Sequence, residues 1–350
     1  MSSSTVPHVE GIDVPRVSNW LASSIEGLVP PFTFDLIAGG RSNLTFRVTD
    51  AAGRKVALRR PPVSNVLPTA HDMRREHRVI SALGPTDVPV PEALGLCTDE
   101  EVNGAPFSVM SFVDGLILRD EAAAGALDEP TRRAAGDSLV DTLVALHGVD
   151  VDAVGLSDFG RHEGYISRQL NRWHTQFTQS PVGDEPGPAV VDRVHELLSR
   201  SIPDQQGVGI VHGDYRLDNT VLDDHGRVIA VLDWEICTLG DPLADLGLLL
   251  VYWAEAGETE GALLGVTPTS LPGFPTRAEI IERYAAASER DLSAIPYYKA
   301  FGFWKLACIL QGVTARYAAG AAAGDRSGTG QFADQVRWLG ERALSELEGP

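Results

Sequence analysis

The sequence predicts an α+β fold of two lobes, an N-terminal antiparallel sheet plus a helix followed by a larger, mainly helical C-terminal lobe. Two observations carry this expectation. Strand-like segments crowd the first third of the chain, and from Gly115 onward the apolar spacing becomes helical. The helical part is interrupted only by short strand-like pieces around 209–212, 219–223 and 227–232. A chain of 350 residues is long enough for two cores. The expected division is 1–112 and 113–350, with the joint inside SFVDG, 111–115.

In order, DVPRVSNWLASSIEGL (13–28) reads as an amphipathic helix, with Val14, Val17, Leu21, Ile25 and Leu28 on one face. Strands follow at 32–38, 44–49 and 55–60, the first two joined by the glycine-containing connection GGRSN, 39–43. AHDMRREHRVISAL (70–83) reads as a helix, and strands near 92–98 and 106–112 complete the sheet. Helices are then expected at 129–148, 162–178, 188–200, 242–255, 277–290, 296–319 and 331–348, with AAGAAAGDRSGTG (318–330) as a small-residue linker.

Composition narrows the function classes. A formal charge of −19 argues against nucleic acid or an anionic membrane as the main partner, because both need a basic face. That charge would suit a cationic substrate, but a solvated acidic surface accounts for it and is the reading preferred. The most apolar run, Leu246 to Ala254, is too short for a membrane span. Three widely spaced cysteines, Cys97, Cys237 and Cys308, lack metal-ligand spacing and suit a reducing cytoplasm. The opening MSSSTVPHVEGIDVPR has no basic stretch leading into an apolar core, so no secretory signal is expected.

The chemistry concentrates in VHGDYRLDNTVL, 211–222, and in the apolar strand RVIAVLDWE that follows it. Asp214 lies two residues after His212, Asn219 follows five residues later, and the strand ends on Asp233 and Glu235. A carboxylate ending a buried strand needs a partner, since an unpaired one is costly. Asn219 and Asp233 are hard oxygen donors of the kind Mg²⁺ takes alongside phosphate oxygens, which leaves Asp214 to accept a proton from a hydroxyl. In the helix over 70–83, Glu76 sits on the apolar face with Met73, Ile80 and Leu83 and should meet a cation. Arg59 in VALR is the candidate, although an ordinary helix–strand ion pair would use the same residues. GGRSN offers backbone N–H groups and the hydroxyl of Ser42 to phosphate oxygens, yet by itself it is also a plain hairpin.

Hairpin loop, strand cation, helix glutamate, acid and amide five apart, strand-end aspartate: this order resembles the protein-kinase-like fold. The version HGD…DN…LDWE…GDPLADLG is similar to the aminoglycoside phosphotransferase (APH) family of small-molecule kinases, over roughly residues 30–320. VLPTAHDMRREHRVISALGPTDVPVPEALGLC and WKLACILQGV look closest to the branch related to kinase-like domains fused to acyl-CoA dehydrogenases. The resemblance implies Asp214 as catalytic base or hydroxyl-orienting group, with Asn219 and Asp233 holding Mg²⁺. It implies Arg59, paired with Glu76, in place of the usual strand lysine. It also makes MSFVDG the hinge, where the backbone of Ser111 and Val113 would meet adenine. His212 is then a structural member of the loop, and Asp241 and Asp245 brace it and cap the next helix.

The implied activity is ATP- and Mg²⁺-dependent transfer of the γ-phosphate to a hydroxyl of a small molecule, with GTP an open alternative donor. The acceptor is aminoglycoside-like, or a hydroxylated metabolite or acyl compound. Glu255, Glu258 and Glu260 suit the first, whereas Trp253, Tyr297, Tyr298, Phe301, Phe303 and Trp304 suit a less charged compound or simple helix packing. Arginine is not interchangeable with lysine, and no G-x-G-x-x-G loop is present. A catalytically silent kinase-like protein that binds nucleotide or a partner is therefore the competing reading. A metal-dependent hydrolase built on His212, Asp214 and Asp233 lacks enough histidines nearby. The sequence leaves the oligomeric state open.

Overall fold

The structure is a computed structural model that describes residues 9–38, 43–63, 72–182, 187–258, 267–318 and 329–349. The chain divides into two compact units, Met1–Gly115 with Ile229–Cys237, and Leu116–Val228 with Thr238–Pro350. The fold is the expected kinase-like α+β arrangement of antiparallel sheet, helix and helical C-terminal region.

In the first unit, α1 (Val14–Ser24) starts where the Asp13 side chain accepts from the Arg16 N–H. It stops four residues short of the expected end. Ile25 is extended and Gly27 sits at φ 77°, a region that favours glycine. Ile25 and Leu28 still reach the core, so their apolar spacing imitated a longer helix. The strands are β1 (Thr33–Ala38), β2 (Leu44–Thr49), β3 (Lys55–Arg60), β4 (Ala93–Cys97) and β5 (Phe107–Ser111), with α2 (Met73–Leu83) between β3 and β4. They pair antiparallel in the order β1-β2-β3-β5-β4. Phe46, Leu58, Phe107 and Val109 from the sheet join Val17 and Leu21 in one core, and Trp20 meets Phe107 edge-on at 4.9 Å. A single helical turn, α3 (Glu100–Asn103), was not expected from the spacing.

The second unit holds α4 (Glu121–Gly125), α5 (Glu129–His147), α6 (Tyr165–Thr178), α7 (Ala189–Arg200), β6 (Gly209–Val211) and β7 (Thr220–Leu222). β8 (Val228–Val231) leads into the returning segment of the first unit, where the Val231 N–H bonds the Pro89 carbonyl at 2.8 Å. Beyond it lie β9 (Thr238–Gly240), which pairs antiparallel with β6, then α8 (Leu243–Tyr252), α9 (Arg277–Ala287), α10 (Ile295–Ala318) and α11 (Thr329–Glu348). α8 and α10 are buried on nearly every face, which is why their sequences are apolar all round. They approach so closely at Gly247 that an added methyl would come to 2.5 Å of the Tyr298 carbonyl oxygen. No described helix is long and apolar enough to cross a membrane.

Candidate functional site

β6 delivers the chain into the loop His212–Asn219, whose backbone is fixed from several sides. The completely buried carboxylate of Asp245, in the first turn of α8, accepts from the backbone N–H groups of His212 (2.6 Å) and Gly213 (2.8 Å). Burial opposes that charge. His147 and the loop N–H groups outweigh it, so the carboxyl stays below its usual range. Lys305 from α10 donates to the Gly213 carbonyl at 2.8 Å. Gly213 itself lies at φ 88°, so a side chain there would be strained. The Tyr215 hydroxyl donates to the Leu139 carbonyl of α5 at 2.8 Å.

Asp214 is half-buried at the end of this scaffold. A 3-10 turn over Leu217–Asn219 brings Asn219 back, and its Nδ2 donates to the Asp214 carbonyl (2.8 Å) and to Oδ2 (3.0 Å). That orientation turns the Asn219 Oδ1 away from Asp214, as a metal-binding amide oxygen requires. Arg216 Nε donates to the same Oδ2 at 3.3 Å, its Nη1 pairs with Asp218 at 3.0 Å, and its guanidinium lies 4.9 Å over the Tyr252 ring. The Tyr252 hydroxyl also faces Asp214. Burial, then the Asp214 charge, pushes that phenol far above its ordinary value, so it remains a donor. Beside the loop is a cavity of about 120 Å³ lined by Leu118, Arg119, Arg216, Asp218, Tyr252 and Trp253, among others.

His212 is fully buried and its Nδ1 accepts from the Asp214 N–H at 3.3 Å, a structural engagement. Among the described residues, no three His, Cys, Asp or Glu side chains gather as a metal site. Asp241 accepts from the Leu243 N–H (3.2 Å) and from the Tyr298 hydroxyl (2.6 Å), which ties the start of α8 to α10.

The first unit gathers a second polar group. Arg59, in β3, contacts Glu76 of α2 at 2.5 Å and Asp233 at 2.9 Å. Burial pushes Glu76 upward and the Arg59 guanidinium opposes it. Burial also works against the charge of Arg59, yet the carboxylates of Glu76 and Asp233 keep it firmly protonated. Asp233 is the one described non-glycine residue at positive φ, 65°, a conformation that stores strain and is held here by its surroundings. Arg59 engages its Oδ1, and the remaining oxygen suits a hard cation. Glu235 accepts from the Asn43 amide at 3.0 Å. The Ser111 N–H is committed to the Glu92 carbonyl at 2.8 Å, and its hydroxyl oxygen accepts from the Glu92 N–H at 2.8 Å, with Val113 two residues on. Ser42 lies outside the described residues.

Sequence reasoning missed Lys305, Tyr252 and the Asn43–Glu235 pair. Lys305 had a signal, since it is the one cation in AFGFWKLACIL. Tyr252 had none, because LLLVYW reads as core.

A sheet-and-helix unit with a buried cation–carboxylate group, and a helical unit presenting a braced Asp–Asn loop, define a kinase-like phosphotransferase fold. The chain belongs to the phosphotransferase enzyme family (APH), whose sequence profile matches residues 33–294. A provisionally assigned aminoglycoside phosphotransferase from Ralstonia eutropha JMP134 superposes with a TM-score of 0.80 at 30% identity, covering 96% of this chain and 98% of that one. A thermostable mutant of aminoglycoside phosphotransferase APH(4)-Ia, in ternary complex with AMP-PNP and hygromycin B, shares the fold alone. Its TM-score is 0.61 at 17% identity, covering 95% of this chain and 97% of that one. Among curated proteins, acyl-CoA dehydrogenase family member 11 of Rattus norvegicus is 37% identical over 286 residues, 80% of this chain and 36% of its own length. Family member 10 of Mus musculus is 36% identical over 288 residues, 81% of this chain and 26% of its own length. The chain thus spans about a quarter to just over a third of these relatives, and they lie in the branch that the sequence resemblance indicated.

Proposed function

We propose that the protein transfers the γ-phosphate of ATP to a hydroxyl of a small molecule, with Asp214 orienting the hydroxyl and receiving its proton. The observation that carries this reading is the hold on Asp214. Three side chains, Asn219, Arg216 and Tyr252, converge on its carboxylate, and the loop beneath it is fixed through Asp245 and Lys305. Phosphoryl transfer asks a protein mainly for positioning and charge stabilisation, which such a scaffold supplies. Asn219 and Asp233 are the oxygen donors for Mg²⁺, which when bound neutralises charge on the phosphates. Arg59 is the phosphate-facing cation, and the Ser111 carbonyl and Val113 backbone are the adenine contacts.

The cavity beside the loop is the proposed acceptor pocket. It offers guanidinium groups, one carboxylate already paired with Arg216, and aromatic and aliphatic walls. Of the three acids expected to suit a polycation, Glu260 lies outside the described residues, and Glu255 and Glu258 are spent on Arg277: the Arg277 N–H bonds Glu255 at 2.6 Å and the guanidinium meets Glu258 at 2.5 Å. This supports a hydroxylated metabolite or acyl compound over an aminoglycoside. The test is Asp214→Ala. Nucleotide binding by thermal shift should survive while ADP release on a panel of hydroxylated compounds disappears, and undiminished turnover would refute the assignment.

One observation favours a second reading, a silent kinase-like fold. Arg59 stands where a lysine is usual, and its fork is already occupied by Glu76 and Asp233. Thermal shifts with ATP, with and without Mg²⁺, followed by the same ADP-release panel, separate the two. Binding with no turnover on any acceptor supports the silent fold.

A further inference from the structure

Lys305 is 5% exposed in the middle of α10, a helix otherwise packed with Phe301, Phe303, Trp304, Ala307 and Cys308. Its ammonium meets a backbone carbonyl, Gly213 at 2.8 Å, and the face of Trp173 at 5.7 Å. Burial lowers the pKa of this amine, and only the more distant charges of Asp214 and Asp245 oppose that. A buried ammonium with no carboxylate beside it is expensive, and a helix that only had to pack would carry Leu or Met there. The compensating interaction is at the loop. Gly213 gives its N–H to Asp245 and its carbonyl to Lys305, so the peptide planes on both sides of that residue are pinned. The second of these planes is the one from which Asp214 projects.

We propose that Lys305 is a positioning residue of the phosphotransfer site: its ammonium fixes the Gly213–Asp214 peptide and thereby the direction of the Asp214 carboxylate. The proposal rests on the reading of Asp214 as the hydroxyl-orienting group. Its effect on the reaction is through geometry, since Lys305 contacts neither nucleotide nor acceptor in this scheme. A displacement of about 1 Å at such a group is enough to cost roughly 10²-fold in rate.

The experiment compares Lys305→Met, which keeps the volume, Lys305→Gln, which keeps an N–H donor without the charge, and Cys308→Ala. The last opens a gap one turn further along the same helix and leaves the loop alone. Hydrogen exchange is measured on the peptide covering 209–220, alongside the ADP-release kinetics. In Lys305→Met, loop amides should exchange about 10-fold faster or more, the loss expected for one charge-assisted hydrogen bond. Its kcat should fall roughly 10²-fold while the KM for ATP stays within about twofold. Lys305→Gln should recover part of both, and Cys308→Ala should change neither. Loop exchange in Lys305→Met equal to that of the unmodified protein overturns the proposal, as does the same pattern in Cys308→Ala. If the unmodified protein releases no ADP with any acceptor, the phosphotransferase reading fails, and the exchange result alone decides the role of Lys305.

Discussion

Replacing Asp245 with asparagine should cost the second unit about 3 kcal/mol. The carboxylate accepts from the N–H groups of His212 and Gly213 at 2.6 and 2.8 Å in a fully buried position. Asparagine keeps one acceptor oxygen and presents an NH₂ group where the other stood. One charge-assisted hydrogen bond, worth about 1.5–3 kcal/mol, is lost outright, and the second falls to the ~1 kcal/mol of a neutral pair. For a unit of this size that lowers the calorimetric Tm by roughly 6–12 °C. The pH dependence has a definite sign. Because the folded value of Asp245 is lowered, its contribution is complete above the ordinary 3.8 and is lost as pH falls through the lower folded value. The gap between the two proteins should therefore be full at neutral pH and shrink only in strong acid. A Tm within about 2 °C of the original at pH 7 would refute the idea that this carboxylate holds the loop.

Two further outcomes test the surroundings. Glu76→Leu removes one member of a buried ion pair and leaves Arg59 with Asp233 alone. Urea denaturation should register a loss of about 3 kcal/mol, and a change below ~1 kcal/mol would mean the pair is structurally idle. His147 is fully buried, and burial lowers its pKa from 6.5, so the unfolded chain takes up a proton that the folded one resists. Stability should fall as pH drops below 6.5, by up to ~1.4 kcal/mol per pH unit for this group. His147→Gln should flatten that slope in urea titrations between pH 7.5 and 5.5. An unchanged slope would assign the acid sensitivity to other groups.

How much of this was legible in the sequence depends on the kind of signal. The order of the strands, the helix carrying Glu76 and the Asp214–Asn219 spacing were legible because period and spacing record them locally. The partnership of Arg59 with Glu76 was legible because an acid on an apolar helix face demands a cation, and β3 supplied one. Its third member was not, since Asp233 arrives from 174 residues further along. The extent of α1 was overestimated because apolar residues in a turn can continue a helical period without a helix. The single turns α3 and α4 and the three-residue β9 are too short to show any period. Lys305 and Tyr252 serve the loop from elements whose sequences read simply as core, and only the fold reveals which buried polar atoms face them.

The return of Ile229–Cys237 to the first unit has a consequence for biosynthesis. When Gly115 leaves the ribosome, the sheet and α2 are translated, but Arg59 still lacks one of its two carboxylates. More than a hundred further residues must be made before Asp233 emerges. At typical elongation rates this is a delay on the order of ten seconds. Through that interval Arg59 has Glu76 alone, so its full set of counter-charges is completed only after residues 116–228 of the second unit have been translated.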